Sequence, residues 1–152
     1  MIKDNLDSLD VRILEILSKN AKTPFLEIAR ICNVSGAAIH QHIQQLTANG
    51  VIKGSVFMLN AEKVGLTTCA IVGLTLSTDA DTEEVVNGLK KIPEVVECHL
   101  TSGKFPITIK MYAKNNSVFL SLLKSSVLQI SGVIGAESTI SLQECFTRQI
   151  SL

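Results

Sequence analysis

The chain has no net charge to offer. Its 152 residues carry 14 Lys and Arg against 14 Asp and Glu. Splitting it at Asn60 uncovers no hidden basic part: six basic residues face five acidic ones before that point, and eight face nine after it. Composition alone therefore argues mildly against nucleic acid, because phosphate contacts normally favour a basic domain. Any such binding has to rest on geometry or on several weak sites acting together. Long apolar runs are missing as well, so no segment has the ~20 apolar residues of a membrane-spanning helix. The opening MIKDN lacks the basic-then-apolar layout of a secretory leader, which makes a cytoplasmic location the expectation.

Paired cysteines are also lacking. Cys32, Cys69, Cys98 and Cys145 are scattered and form no C-x-x-C pair, so in a reducing compartment they read as buried small hydrophobes. Nor do the histidines assemble a metal site. His40 and His42 on one helix would point about 200° apart, and His99 and Cys98 in a strand would face opposite sides. Catalytic patterns are absent too: there are no paired carboxylates, no Ser or Cys with a placed His, and no phosphate-cradling glycine run. Neither an enzyme nor a resident cofactor or metal is expected. What the chain does have is 46% hydrophobic residues against 18% charged, ample for packed cores.

The segment Thr23 to Gly54 reads as two short helices meeting at a tight corner. Thr23 is placed to cap the first, with Pro24 at its first turn. Ile28, Ala29 and Cys32 keep one face apolar, and Ala29 is small enough for a close crossing. Asn33 suits a left-handed corner. Ser35 caps the next helix, whose stripe is Ile39, Ile43 and Leu46, and Asn49-Gly50 ends it. A preceding helix opening at Asp7-Ser8 carries Leu9, Ile13, Ile16 and Leu17 and completes a three-helix head. A strand-like run, Val51 to Leu59, and a short connection, 60–65, follow. The layout is that of a DNA-reading helix-turn-helix, although an ordinary helical hairpin has the same pattern.

The second half repeats itself. Ala70 to Leu76 reads as a strand, Asp79 to Lys91 as a helix, and Val95 to Leu100 as a strand. The order then recurs, with a strand from Ile107 to Ala113, a helix from Ser117 to Ile130 and a strand from Val133 to Leu142. Strand-helix-strand twice over is the split βαβ or ferredoxin-like unit, four antiparallel strands with two helices on one face. Thr75, Ser77, Thr101, Thr108, Lys110, Thr139 and Ser141 make the other face partly polar, while its apolar fraction points to a partner subunit.

A head of this kind joined to a βαββαβ body resembles the leucine-responsive/asparagine-regulator (Lrp/AsnC) family of transcription regulators. NLDSLDVRILEIL, LEIARICNVSGAAIHQHIQQL, NGVIKG, HLTSGKFPITIK and GAESTISLQ carry the resemblance across nearly the whole chain. SGAAIH and GKFPITIK are closest to the asparagine-regulator branch. The resemblance implies an α+β chain, with a winged helix-turn-helix DNA-binding head over 1–60 and a βαββαβ effector-binding and oligomerisation body over 61–152. It also implies double-stranded DNA as partner, a homodimer assembling further into an octamer of four dimers, and a small effector, often an amino acid, bound between subunits. The chain departs from the family in two places. No Lys or Arg stands between Ser35 and Asn49, where many relatives carry an Arg at the position of His42. Phe105-Pro106 replaces a common Tyr-Asp whose carboxylate can hold an effector's amino group.

Two sets of site residues follow. For DNA, the second helix of the pair would present Ser35, Gly36, Ala37, His40, Gln41, Gln44 and Gln45. Gln can bridge adenine N6 and N7, Ala can touch a thymine methyl, His can donate to guanine or phosphate, and the helix start suits a phosphate. Lys53, with Lys19, Lys22 and Arg30, would flank it on phosphates. For the effector, the turn Thr101, Ser102, Gly103 and Lys104 offers backbone amides to a carboxylate. Phe105 and Pro106 follow in the loop, and Ser138 or Ser141 would supply hydroxyls for an amino group. A plain hairpin turn is the alternative there. For the chain as a whole, the alternative is an amino-acid-binding ferredoxin-like oligomer with weak or lost DNA binding.

Overall fold

All but one of the α-helices begin where a short polar side chain takes up free amide groups. In the computed structural model, which describes residues 6–150, Asp7 accepts from the amides of Leu9 and Asp10 at the start of α1 (Ser8–Lys19), and Asp10 returns a bond to the Asp7 amide. This reciprocal capping box satisfies donors that the helix itself cannot. The opening MIKDN lies outside the described residues. Helix α2 (Phe25–Cys32) starts differently from expectation. Pro24 is its cap residue, and the Thr23 hydroxyl donates to the Asn20 carbonyl, 2.8 Å away, rather than capping the helix. Asn33 ends α2 in the left-handed region, at φ 55°, which turns the chain into α3 (Gly36–Ala48), where the Ser35 hydroxyl accepts from the Ala38 amide.

The three helices close on one small core. Ile13, Ile28 and Ile39 are fully buried and Ala29 nearly so, with Leu9, Ile16, Leu17, Phe25, Val34 and Ile43 packed around them. After α3 the chain turns at Gly50 (φ 71°), and here a second expectation fails. The run from Val51 to Leu59 forms no strand, and Val56, Phe57, Met58 and Leu59 are all at least 69% exposed. A strand exists only as one side of a hydrogen-bonded ladder, and among the described residues this segment has none.

The chain divides into two units. One runs up to Met58 and also takes in the residues from Phe146 onward; the other is Leu59–Cys145. In the second unit a short 3-10 turn (Glu62–Val64) leads to β1 (Thr68–Leu76), α4 (Thr82–Leu89), β2 (Val95–Leu100), β3 (Ile107–Ala113), α5 (Asn116–Ser125), a second 3-10 turn (Val127–Gln129) and β4 (Val133–Ser141). The strands lie in the order β2-β3-β1-β4, all pairs antiparallel. This is the ferredoxin-like arrangement. Asp81 caps α4 and Asn115 caps α5. The last expected helix is shorter than its apolar pattern, ending at Ser125 and tightening into the 3-10 turn.

Alternation along the strands decides the core. Ala70, Val72 and Leu74 of β1 and Ile107, Ile109 and Met111 of β3 are buried against Val85, Leu89, Phe119, Leu123 and Val127. Their neighbours point to the opposite face: Ile71, Gly73 and Thr75 from β1, Thr108, Lys110 and Tyr112 from β3, and Glu137, Thr139 and Ser141 from β4. Thr68, 3% exposed, donates its hydroxyl to Asn116 at 2.7 Å, tying β1 to the first turn of α5. The cysteines depart from expectation. Cys98 and Cys145 are exposed, and Cys32 and Cys69 only half-buried, because β2 is an edge strand and Cys145 lies beyond the end of β4.

Candidate nucleic-acid interface and effector loop

The outer face of α3 follows from its stripe. With Ile39 and Leu46 buried, helical spacing sends Ala37, Gln41, Gln44 and Gln45 outward, and all four are exposed, as are Ser35, His40 and Lys53. The amides of Gly36 and Ala37 precede the first backbone bond of this helix, from Ile39 to Ser35, and the cap takes only the Ala38 amide. These two donors open the helix at the positive end of its dipole. Gly36 is half-buried, and a Cβ there would lie 3.2 Å from Leu26 Cδ2, so the glycine lets α3 pass close to α2. His40 is shared in purpose: its ring meets Phe25 edge-on, with centroids 4.8 Å apart. Lys19, Lys22 and Arg30 are exposed, and Lys22 lies 4.7 Å over the Phe57 ring.

His42 behaves unlike its neighbours. Three residues after Ile39, it is on the core side of α3, and its Nδ1 lies 2.7 Å from Asp10 Oδ1. The two side chains are 21% and 13% exposed, and Asp7 Oδ2 is 4.0 Å away. The cap of the first helix is thus tied to α3. Asp7, Asp10 and His42 are also the one group among the described residues with donor atoms close enough for a shared metal ion, all within 4.8 Å of one another. Both carboxylates already serve the capping box. Sequence reasoning set His42 beside His40 only to reject that pairing, and it missed Asp10; the signal was the place of His42 on the core side of its helix.

The β2–β3 loop, Thr101 to Pro106, is closed by the Thr101 amide donating to the Pro106 carbonyl at 3.0 Å and by the Thr101 hydroxyl donating to the Phe105 carbonyl. Thr101, Ser102, Gly103 and Lys104 are all exposed. A Cβ at Gly103 would meet nothing within 4 Å, and its φ is not positive; the fold itself does not demand glycine there. Lys104 is not a free cation, since its Nζ pairs with the Glu137 carboxylate. The two serines do not join this loop as a pair. Ser141 lies opposite Cys69, on the face away from the helices, while Ser138 lies opposite buried Val72, on the helix side. Ser141 is also about 13 Å along β4 from Glu137, at roughly 3.3 Å per residue.

On the same open face Lys110 sits 3.6 Å from Glu97 and 3.4 Å from Glu144. Burial works to lower its pKa, but the Tyr112 hydroxyl, Glu97 and Glu144 outweigh it, so the ammonium stays charged well beyond its ordinary range. Tyr112 is pushed up, mainly by burial, against the opposing pull of Lys110. The face therefore mixes charge pairs with the half-exposed Ile71.

The family model described as "Lrp/AsnC ligand binding domain" matches residues 69–150, more than half of the chain. The chain belongs to the Lrp/AsnC family. A second model, "Winged helix-turn-helix DNA-binding", matches residues 6–53. The regulatory protein AsnC of Haemophilus influenzae is 33% identical over 146 residues, 96% of this chain and 97% of that protein. The structure of E. coli AsnC superposes with a TM-score of 0.85 at 28% identity, over 95% of this chain and 97% of the other. A transcriptional regulator of Neisseria meningitidis, solved in complex with L-Met, shares the fold at 23% identity, with a TM-score of 0.85 over 95% and 94% of the two chains. As a member of the Lrp/AsnC family the chain is a helix-turn-helix transcription regulator with a ligand-binding body, not an enzyme. No helix among the described residues is long and apolar enough to cross a membrane.

Proposed function

We propose that this Lrp/AsnC regulator reads double-stranded DNA with the outer face of α3 and answers to an amino acid received at the β2–β3 loop. The observation that supports this most is the row Gln41, Gln44 and Gln45, exposed on a helix whose free amides at Gly36 and Ala37 suit a phosphate. Ser35, Ala37 and Lys53 flank that row, and His40 lies at its edge. The head, residues 1–60, would be the DNA-binding domain. The body, 61–152, would bind effector and self-associate, as a dimer and then as an octamer of four dimers, in the cytoplasm. The half-exposed Ile71 in a central strand favours a covered sheet face. The L-Met bound by the Neisseria regulator favours an amino acid as effector, held by the amides of Ser102, Gly103 and Lys104.

A second reading, an effector-binding oligomer with weakened DNA binding, draws support from α3 itself. It carries no Lys or Arg, and His42, where many relatives have Arg, turns inward to Asp10. A gel-shift assay with the DNA upstream of its own gene separates the two. A retarded complex that survives competitor DNA is expected, and its absence at all protein concentrations favours the second reading. A thermal-shift screen against the common amino acids tests the effector, because a ligand of the native state alone raises the melting temperature by mass action.

A further inference from the structure

Gly73 is buried although it lies on the open face of the sheet, between the exposed Ile71 and Thr75. The reason is Phe105. The loop folds this ring down onto β1, so a Cβ at Gly73 would lie 2.7 Å from Phe105 Cε2, with Cγ and Cδ2 nearer still. Real side chains do not approach so closely, so only glycine admits the ring at this point. Glu137 is the register partner of Gly73 on the neighbouring strand. The residue before Phe105, Lys104, reaches across to that carboxylate, and its ammonium also lies 4.9 Å over the Phe105 ring. Two adjacent loop residues are thus pinned to two adjacent strands at one level of the sheet.

We propose that Gly73 and Glu137 are positioning residues that latch the β2–β3 loop onto the sheet in its effector-ready form. Gly73 supplies the seat for Phe105, and Glu137 anchors Lys104. The seated ring holds the backbone of Ser102 to Lys104 in place, so a carboxylate meets amides already aligned. The anchored Lys104 offers its charge only if Glu137 is displaced or shared. This inference rests on the loop being the effector's landing place, and it says why this chain keeps a glycine in the middle of a central strand, where glycine is otherwise unfavourable.

The test uses the full chain and two readouts. Trypsin must draw the chain on both sides of the Lys104–Phe105 bond into an extended form, which the seated Phe105 ring and the Lys104–Glu137 pair oppose, so the cleavage rate there reports the lifted population. Gly73→Ala and Glu137→Gln are each expected to raise cleavage at this bond by about tenfold or more, a shift of ~1.4 kcal/mol in the equilibrium. Gly73→Ala combined with Phe105→Ala relieves the clash and should recover the thermal stability lost in Gly73→Ala, while its loop stays as cleavable. Calorimetric titration with whichever amino acid stabilises the parent should show about tenfold weaker binding in Gly73→Ala and Glu137→Gln. Parent-like protection of the Lys104–Phe105 bond in both single variants overturns the latch. Parent-like affinity in variants whose loop has opened overturns its positioning role. If the parent binds no amino acid yet the cleavage pattern holds, the effector reading falls and the latch stands.

Discussion

At the scale of single residues, the His42–Asp10 contact makes the sharpest claim. Both groups are largely withdrawn from water and 2.7 Å apart, so removing one leaves the other without its partner, at a cost of ~1–3 kcal/mol. His42→Ala should therefore lower the unfolding free energy of the head by about that amount, measured by urea denaturation followed by helical circular dichroism. An unchanged midpoint would mean that the pair is ornamental. The glutamines make a different claim. Gln41→Ala or Gln44→Ala should weaken specific DNA binding by roughly 1–3 kcal/mol where the residue bridges a base, whereas Lys53→Ala should weaken all sequences alike and flatten the salt dependence. Titrations against specific and random duplexes at several salt concentrations distinguish them, and equal losses on both duplexes from the glutamine changes would show that another face reads. Gly103 adds a third claim. A Cβ at Gly103 meets nothing within 4 Å, so Gly103→Val should fold, and with a parent-like melting temperature a loss of effector response in that variant reports on the ligand and not on the turn; a parent-like response would move the pocket elsewhere.

At the scale of elements, the head depends on how its helices begin. The Ala38 amide donates to the Ser35 hydroxyl oxygen at 3.2 Å, and Ser35→Ala should cost the head ~1 kcal/mol by loss of that cap, read in the same urea titration. A phosphate bound at the helix start would respond as well, so the variant's DNA affinity should fall by more than its stability alone accounts for. The segment after α3 is the counter-example. Val56 to Leu59 form a short apolar run of the kind a strand could use, yet they lie open and unpaired, because residue preference cannot create a ladder.

At the scale of the whole molecule, exposed apolar residues set the expectation. Ile71 on a central strand and the run Val56 to Leu59 expose apolar side chains to water, and contiguous exposed apolar residues mark association surfaces. The protein should sediment as a dimer or a larger assembly at micromolar concentration. Two heads on one symmetric body would then favour pseudo-palindromic DNA with half-sites about one helical turn apart. Linked heads also answer the charge problem: with no net charge in the chain, affinity has to come from simultaneous weak contacts. A monomer in the ultracentrifuge would remove the basis for that account.

Local chemistry was legible from the residues alone. Capping by Asp7 and Ser35, the left-handed turn at Asn33 and the buried stripes of α1 to α3 follow from short-range rules, and so does the alternation along β3; β2, exposed along nearly its whole length, shows none. The repeat of strand, helix and strand was enough to give the ferredoxin-like body, since only a few chain paths bury two such units together. What the tertiary structure decided lies between residues far apart in sequence. Asp10 meets His42, Phe105 covers Gly73, Lys104 finds Glu137, and Ser138 and Ser141 are sent to opposite faces by the register of β4 on β1. No periodicity encodes these meetings. They depend on crossing angles and strand register, which the whole set of packed side chains fixes at once, and a one-residue slip in that register would have reversed every one of the strand faces.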